Sequence, residues 1–153
     1  MAKYRVHAAS LPFRQGADGV QVLLLKSRSG RRWKLPQLRV RKRRLPRETA
    51  ALAAYRKAGV SGSLSTASIG DYRQGKGGRR RSVLVFALEV KEVHADRPKP
   101  RLRSKWLPLA KAARRLQRPE LEPLLLGLPS LIEDARLRQL LLNLPELSPL
   151  HRL

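Results

Sequence analysis

The mostly apolar segment at positions 82–90 limits the possible folds more than any other part of the sequence. In a β-strand, alternate side chains point to opposite faces. Both sets are apolar here: Leu84, Phe86 and Leu88 on one face, and Val83, Val85 and Ala87 on the other. A strand of this kind is stable when both of its faces are covered, as in the middle of a layered sheet. The run therefore predicts a central strand in a domain with packed layers on both sides.

The remaining strands follow from alternation and turn chemistry. Residues 4–10 alternate and residues 20–26 are mostly apolar, with turn residues that include two glycines at 15–19, so they predict a hairpin. Residues 27–32 predict a polar loop, residues 33–36 a short extended piece, and residues 37–45 a basic loop. Two more strands are predicted at residues 65–73, before a turn at 75–78, and at residues 105–107.

A helix is predicted from Pro46 to about Ala58. Proline suits the first turn, Glu48 favours the positive end of the helix dipole, and Gly59 supplies a C-terminal stop. Further helices are predicted at residues 108–116, 120–126 and 130–144.

The last predicted helix carries a capping box and an apolar stripe. Ser130 and Glu133 have the capping-box spacing. The stripe consists of Leu137, Leu140, Leu141 and Leu144. We expect it to pack on the domain, and binding of a protein partner through residues 130–144 is the alternative.

Composition limits the class of protein. The chain has 153 residues and 42% hydrophobic content, enough for one domain with a real core. It contains 34 Lys and Arg against 11 Asp and Glu, a net charge of +23, which favours polyanionic partners. Cysteine is absent, which excludes disulfides and thiolate chemistry. No signal-peptide core or run of 18 apolar residues is present, so we expect a cytoplasmic protein with no membrane partner.

Several motifs occur in an order that is typical of one protein family. Trp33-Lys34-Leu35-Pro36, the basic loop, and the helix ending in Gly59-Val60 follow one another without a gap, and a later segment begins Trp106-Leu107-Pro108. Together these motifs resemble the Nudix hydrolase family. The resemblance, closest to the diphosphoinositol- and dinucleoside-polyphosphate hydrolase branch, implies an α+β fold: an α/β/α sandwich with a mixed central sheet at residues 1–127. Residues 128–153 are then a leucine-rich C-terminal helical extension.

The same resemblance implies that the catalytic positions are degenerate. In the family, glutamates of the Nudix box bind Mg²⁺ on a pyrophosphate. Leu38 replaces the first glycine of that box and Arg44 the first glutamate. The positions of the other catalytic residues are occupied by Leu52, Ala53, Arg56 and Lys57, and a later W-P-E motif would be Arg97-Pro98-Lys99. Since Mg²⁺ requires hard oxygen ligands, we expect no bound metal, no cofactor and no catalytic residue.

Other acidic residues offer a weak alternative site. Glu48 is best explained by the helix dipole. Glu89, Glu92 and Asp96 are spaced too loosely to define a metal triad, although relocated catalysis remains an alternative. His7, His94 and His151 lack metal-ligand spacing, and no residues indicate a nucleophilic triad.

Basic residues dominate the segment that a metal site would occupy. Thirteen lie between Lys26 and Lys57, opposed by one acid. We expect phosphate binding, without hydrolysis, by seven of the chain's cations: Arg28, Arg32, Arg44, Arg56, Lys57, Lys76 and Arg79. Arg44, Arg56 and Lys57 should then converge beside the turn at residues 75–78. The ligand is a phosphate-rich small molecule or RNA. The alternatives are a solvated charged surface, a divergent hydrolase of nucleoside or inositol pyrophosphates, and an interaction protein that uses the C-terminal helix.

Overall fold

A computed structural model describes residues 5–95 and 103–143. In these residues the chain forms one eight-stranded mixed sheet with helices on both faces. The strands are β1 (Arg5–Gly16), β2 (Gly19–Lys26), β3 (Trp33–Lys34), β4 (Gln37–Arg39), β5 (Val60–Leu64), β6 (Gly70–Gln74), β7 (Arg81–Val93) and β8 (Ser104–Pro108). The helices are α1 (Pro46–Ala53), continued by a π-helical turn (Ala54–Ala58), α2 (Leu109–Leu116), α3 (Glu122–Leu126) and α4 (Leu128–Asn143).

Strand β7 lies inside the sheet, as its sequence predicts. It runs parallel to β1, from Arg5 opposite Arg81 to Phe13 opposite Glu89, and antiparallel to β5 and β6. One face of β7 contributes to the larger core, which also contains buried residues of α2, α3 and α4. The other face contributes Phe86 to a cluster with Ala50 of α1. The predicted α+β sandwich with a mixed sheet is confirmed.

The helical segment formed by α1 and the π-helical turn begins and ends where the sequence predicts. Pro46 is the first helical residue, and Gly59 leaves the helix in the left-handed conformation at φ 69°. The last turn is π-helical, with i→i+5 hydrogen bonds, rather than α-helical. This change affects the directions in which Arg56 and Lys57 point.

Two strands were not predicted, because their pairing partners are distant in the chain. Strand β4 lies in the predicted basic loop and pairs with β1, with Leu38 opposite Ala8. Strand β5 pairs with β7 through a bulge at Gly62, where a Cβ atom would lie 1.9 Å from the Glu89 carbonyl oxygen. The strand predicted at residues 65–73 is shorter and begins only at Gly70. Of the first predicted strand, Tyr4 lies outside the described residues.

The C-terminal helix differs from its prediction. Helix α4 begins at Leu128, so Ser130 lies inside it and the capping-box prediction is wrong. Leu128 and Ile132 are buried in the larger core. The predicted stripe is not packed on the domain: Leu137, Leu140 and Leu141 are 57%, 62% and 45% exposed.

The described residues cover part of the C-terminal segment, and they allow a search for membrane-spanning helices. Leu144 and the tail lie outside the described residues, and the domain boundary at 127/128 stays a prediction. Within residues 5–95 and 103–143, no helix is long and apolar enough to cross a membrane.

Candidate anion-binding site

Strand β1 changes its pairing partner next to a hollow in the surface. Residues Phe13–Gly16 of β1 pair with β2, whereas His7–Ala9 pair with β4. A cavity of about 240 Å³ lies beside β4, and we call it the basic cavity. Its lining comes from six separate segments: His7, Lys34, Leu35, Gln37, Leu38, Arg39, Lys57, Gln74 and Arg81.

The charges of the basic cavity have one sign. Among the residues that the structure describes, its lining includes four Lys or Arg residues and no Asp or Glu. Burial lowers the pKa of Lys57 below its usual 10.5, and repulsion from Lys34 and Arg81 lowers it further. The pKa of His7 is also lowered, first by burial and then by repulsion from cations that include Arg81 and Arg39. Two titratable groups therefore experience a positive potential that a bound anion would relieve.

A chain of hydrogen bonds orders the polar wall of this cavity. The Tyr72 hydroxyl donates to Gln37 Oε1 at 2.8 Å, and Gln37 Nε2 donates to Gln74 Oε1 at 3.0 Å. Gln37 Nε2 also lies 3.4 Å from His7 Nδ1. Burial raises the pKa of Tyr72 to about 12, so its hydroxyl stays protonated. In this arrangement His7 Nδ1 is an acceptor, which fits a neutral ring with its proton on Nε2.

A second hollow adjoins the basic cavity, between the loop after β4 and helix α1. It has a volume of about 320 Å³, and we call it the arginine groove. Its lining is Leu38, Arg39, Arg41, Arg44, Thr49, Leu52 and Arg56. Leu38 and Arg39 line both hollows, so the two are neighbours across β4.

A tight turn fixes the loop that carries two of these arginines. The Arg44 amide donates to the Arg41 carbonyl oxygen at 3.1 Å. Arg43 has a φ of 66°, a left-handed conformation that is costly for a residue with a Cβ atom. The loop thus holds Arg41 and Arg44 beside the groove in a defined conformation.

The three predicted metal-replacing cations are divided between these two hollows. Arg44 and Arg56 line the arginine groove, and Lys57 lines the basic cavity. An accessible face shared by positions 53, 56 and 57 is not formed, because Ala53 is fully buried and the last turn is π-helical. The turn at residues 75–78 follows Gln74, which lies in the basic cavity with Lys57.

The other predicted phosphate-binding residues lie on exposed loops. Arg28 and Arg32 are in the β2–β3 loop, and Lys76 and Arg79 are in the β6–β7 turn. None of the four is among the residues that line the two hollows. Their contact with phosphate stays a prediction.

The residues at these positions do not fit a Mg²⁺ ion, which the family that the sequence resembles would bind there. Arg56 and Lys57 offer positive charge, and the methyl group of Ala53 is buried. Within residues 5–95 and 103–143, no cluster of three or more His, Asp, Glu or Cys residues could hold a metal.

The acidic residues suggested as an alternative site have partners within the chain. Glu89 pairs with Lys91 at 2.6 Å, and Glu92 Oε2 lies 3.9 Å from His94 Nε2. Asp96, residues 97–99 and His151 lie outside the described residues.

The structure also brings together a serine and a histidine that sequence spacing did not connect. Ser61 Oγ lies 2.8 Å from His94 Nε2 across the β5–β7 pairing. Glu92 approaches the same nitrogen, Nε2, and not Nδ1. A catalytic relay needs the carboxylate on the opposite ring nitrogen, so this pair is a structural contact.

Sequence reasoning missed the neutral residues of the basic cavity. His7, Gln37 and Gln74 meet there only because β4 and β6 pair into the sheet. The alternation of residues 4–10 placed His7 in a strand, but no local pattern indicated its neighbours.

Comparison with known proteins defines the fold. No protein-family model matches the sequence, and no curated protein matches it significantly. Among solved structures, a C. elegans Ap4A hydrolase is similar with a TM-score of 0.65 and 17% identity, over 85% of this chain and 99% of that one. A putative NUDIX hydrolase from Listeria monocytogenes gives 0.63 and 11%, over 88% and 97%. A NUDIX hydrolase from Nitrosomonas europaea gives 0.61 and 15%, over 82% and 87%.

These similarities are structural, at identities of 11–17%. They do not test the correspondence of positions 38, 44, 52, 53, 56 and 57 with the catalytic box, which stays a prediction. The chain has the Nudix fold.

Proposed function

We propose that the protein binds phosphate-rich ligands without hydrolysing them, and that the basic cavity is its phosphate site. One observation carries this proposal. Lys57 is half-buried among other cations, and none of the described residues that line its cavity is acidic. Repulsion between Lys57, Lys34 and Arg81 raises the free energy of the ligand-free protein, and a phosphate group between them would lower it.

The donors around the cavity match the oxygens of a phosphate group. Arg39 and Arg81 carry guanidinium forks that can bond two phosphate oxygens at once, whereas Lys57 supplies a point charge. The Nε2–H of neutral His7 is a further donor. A net charge of +23 would attract such anions over a longer range.

Binding without turnover follows from the same residues. Hydrolysis of a phosphoanhydride requires stabilisation of the transition state beyond that of the bound ligand. Cations that replace a metal can hold phosphate, but they do not generate a metal-bound hydroxide as a nucleophile. The proposal therefore separates affinity from catalysis, in a protein that we expect in the cytoplasm.

A divergent hydrolase is the second candidate, because the similar solved structures include an Ap4A hydrolase. Hydrolysis of dinucleoside polyphosphates with Mg²⁺ or Mn²⁺, with and without a chelator, separates the two candidates. No turnover above background is expected. Turnover that a chelator abolishes would overturn the proposal.

Binding is tested with inorganic tripolyphosphate by isothermal titration calorimetry at several salt concentrations. A charge-assisted hydrogen bond contributes roughly 1.5–3 kcal/mol, so Lys57→Glu and Arg81→Glu should each weaken binding by about ten-fold or more. Arg138→Glu in α4 makes the same charge change on an exposed residue outside both hollows. Equal losses in all three variants would mean that net charge alone attracts the anion.

Restoring acidic residues tests the relation to a metal site. The double variant Arg56→Glu/Lys57→Glu should lose tripolyphosphate binding but gain no Mn²⁺ binding, both measured by calorimetry, because positions 56 and 57 line different hollows. Ala53→Glu is unsuitable because Ala53 is 0% exposed. A buried, unpaired carboxylate there should destabilise the fold by about 3 kcal/mol or more.

A further inference from the structure

The arginine groove differs in chemistry from the basic cavity. It combines four arginines with the apolar side chains of Leu38 and Leu52. Within residues 5–95 and 103–143 no acidic residue lines it, and the Thr49 hydroxyl already donates to the Leu45 carbonyl oxygen at 3.0 Å. The groove therefore offers apolar surface and guanidinium groups, and it adds few other polar groups that a ligand would have to satisfy.

This combination suits a planar aromatic ring beside negative charge. A guanidinium group stacks on aromatic faces and also binds phosphate, whereas a leucine side chain covers a ring without requiring hydrogen bonds. At about 320 Å³ the groove is near the lower end of the range for small-molecule pockets, roughly 300–1,000 Å³. It is large enough for one ring system and too small for a base-paired duplex.

Because the arginine groove adjoins the basic cavity, a ring in the one and a phosphate in the other can belong to a single ligand. Leu38 and Arg39 line both hollows, so a ring in the groove and a phosphate in the cavity would be neighbours. Arg41 and Arg44, on the loop after β4, line the groove but not the basic cavity, so they supply further cations for a ligand that extends past the shared residues. A ring with phosphate on both sides is what a nucleotide inside a strand provides, and a free mononucleotide carries phosphate on only one side.

The amount of charge also favours a strand. The two hollows together present seven Lys or Arg side chains: Lys34, Arg39, Arg41, Arg44, Arg56, Lys57 and Arg81. Successive phosphates of a strand bring one negative charge each, distributed along the surface. The exposed loop with Arg28 and Arg32 precedes Lys34 and would extend the same basic surface.

From these observations we infer that the ligand is a single-stranded polynucleotide, with one unpaired base in the arginine groove and an adjacent phosphate in the basic cavity. This inference rests on the proposed function, since it uses the same phosphate site. A duplex does not fit, because its bases are stacked inside and cannot enter a groove unless they are flipped out. Specificity for sequence is not expected, since stacking and charge accept any base.

The test compares strands with and without bases by fluorescence anisotropy. A labelled single-stranded RNA of about 12 nucleotides should bind at least ten-fold more tightly than an abasic strand of the same length, since stacking is worth about 1–3 kcal/mol per base. The second arm of the experiment uses single-stranded DNA with and without bases. A similar ratio of the two affinities would mean that the protein recognises features shared by RNA and DNA. Equal affinity for strands with and without bases would overturn the inference, as would equal affinity for an RNA duplex or for a mononucleoside triphosphate.

Variants locate the base. Leu52→Gln should remove the advantage of the base-bearing strand and leave tripolyphosphate affinity unchanged, with Leu142→Gln on an 80% exposed site as the control. If Leu52→Gln does not fold, 4-thiouridine in the strand provides a second measurement. Ultraviolet crosslinking should then modify residues 38–56 in the wild-type protein, and crosslinks confined to other segments would contradict the proposed base site.

The same variants distinguish the two proposals. If tripolyphosphate binds and Lys57→Glu weakens it, but bases add nothing, then only the polynucleotide inference fails. If neither tripolyphosphate nor RNA binds, the proposed function itself fails.

Discussion

The two ends of β7 handle charge in opposite ways. At its first residue, Arg81 lies opposite Arg5 of β1 and close enough to Lys57 to lower the pKa of that lysine. Near its last residues, Glu89 pairs with Lys91 at 2.6 Å. Beyond the strand, His94 Nε2 lies 2.8 Å from Ser61 Oγ.

This difference separates a structural charge cluster from a candidate binding site. Opposite charges near Glu89 neutralise each other within the chain, and a ligand would gain little there. Like charges near Arg81 leave a positive potential that an added anion would neutralise. The signs of neighbouring charges therefore indicate an anion-binding site better than the position of the charge cluster in the fold does.

Removing the half-buried cation of the basic cavity should have the largest effect. Lys57→Met should weaken tripolyphosphate binding by about ten-fold or more, because it deletes a charge-assisted contact. It should also raise the melting temperature of the ligand-free protein, because repulsion from Lys34 and Arg81 disappears. Calorimetry and thermal unfolding at low salt measure both effects, and a lower melting temperature would contradict the view of this end as electrostatically strained.

Removing the backbone strain at Arg43, in the loop that carries Arg41 and Arg44, should have the next largest effect. Arg43 has φ 66°, so Arg43→Gly should stabilise the protein by about 0.5–1 kcal/mol, measured by urea unfolding. The neighbouring variant Lys42→Gly serves as the control, because Lys42 does not have a positive φ. Destabilisation by Arg43→Gly would mean that the arginine side chain itself holds the loop.

The histidine of the basic cavity predicts a pH dependence. Its pKa is lowered from 6.5 by burial and by Arg81, Arg39, Lys57 and Arg5, so the folded state binds its proton less well than the unfolded state. Stability should therefore rise with pH between the lowered pKa and 6.5. His7→Gln should flatten this part of the curve of unfolding free energy against pH.

Bound anion gives this pH experiment a second result. Tripolyphosphate near His7 should raise its pKa and reduce the slope in the wild-type protein, but not in His7→Gln. An unchanged slope with saturating tripolyphosphate would place the anion elsewhere.

Breaking the ion pair at the other end of β7 should have the smallest effect. Both side chains are well exposed, so Lys91→Met should lower stability by less than about 0.5 kcal/mol. Tripolyphosphate affinity should not change. An effect on binding as large as that of Lys57→Met would remove the contrast between the two ends.

The sequence predicted elements whose signals are local. Two-sided apolar alternation located β7, Pro46 and Gly59 marked the limits of the helical segment, and a glycine-rich turn located the first hairpin. Strand β5 gave no such signal, because its Ser-Gly-Ser centre is a poor strand former that is held by pairing with β7. The capping box at Ser130 was misleading because Leu128 already anchors the helix in the core.

The net charge, the two apolar faces of β7 and the scarcity of acidic residues between Lys26 and Lys57 follow from the order of residues alone. Which cations meet depends on how the chain folds. Parallel pairing of β1 with β7 brings residue 81 beside residue 5, and pairing of β4 with β1 brings Gln37 and Arg39 beside His7. Such contacts join residues 30 or more positions apart, and they form because the sheet buries both of its faces. No local pattern in the chain encodes them.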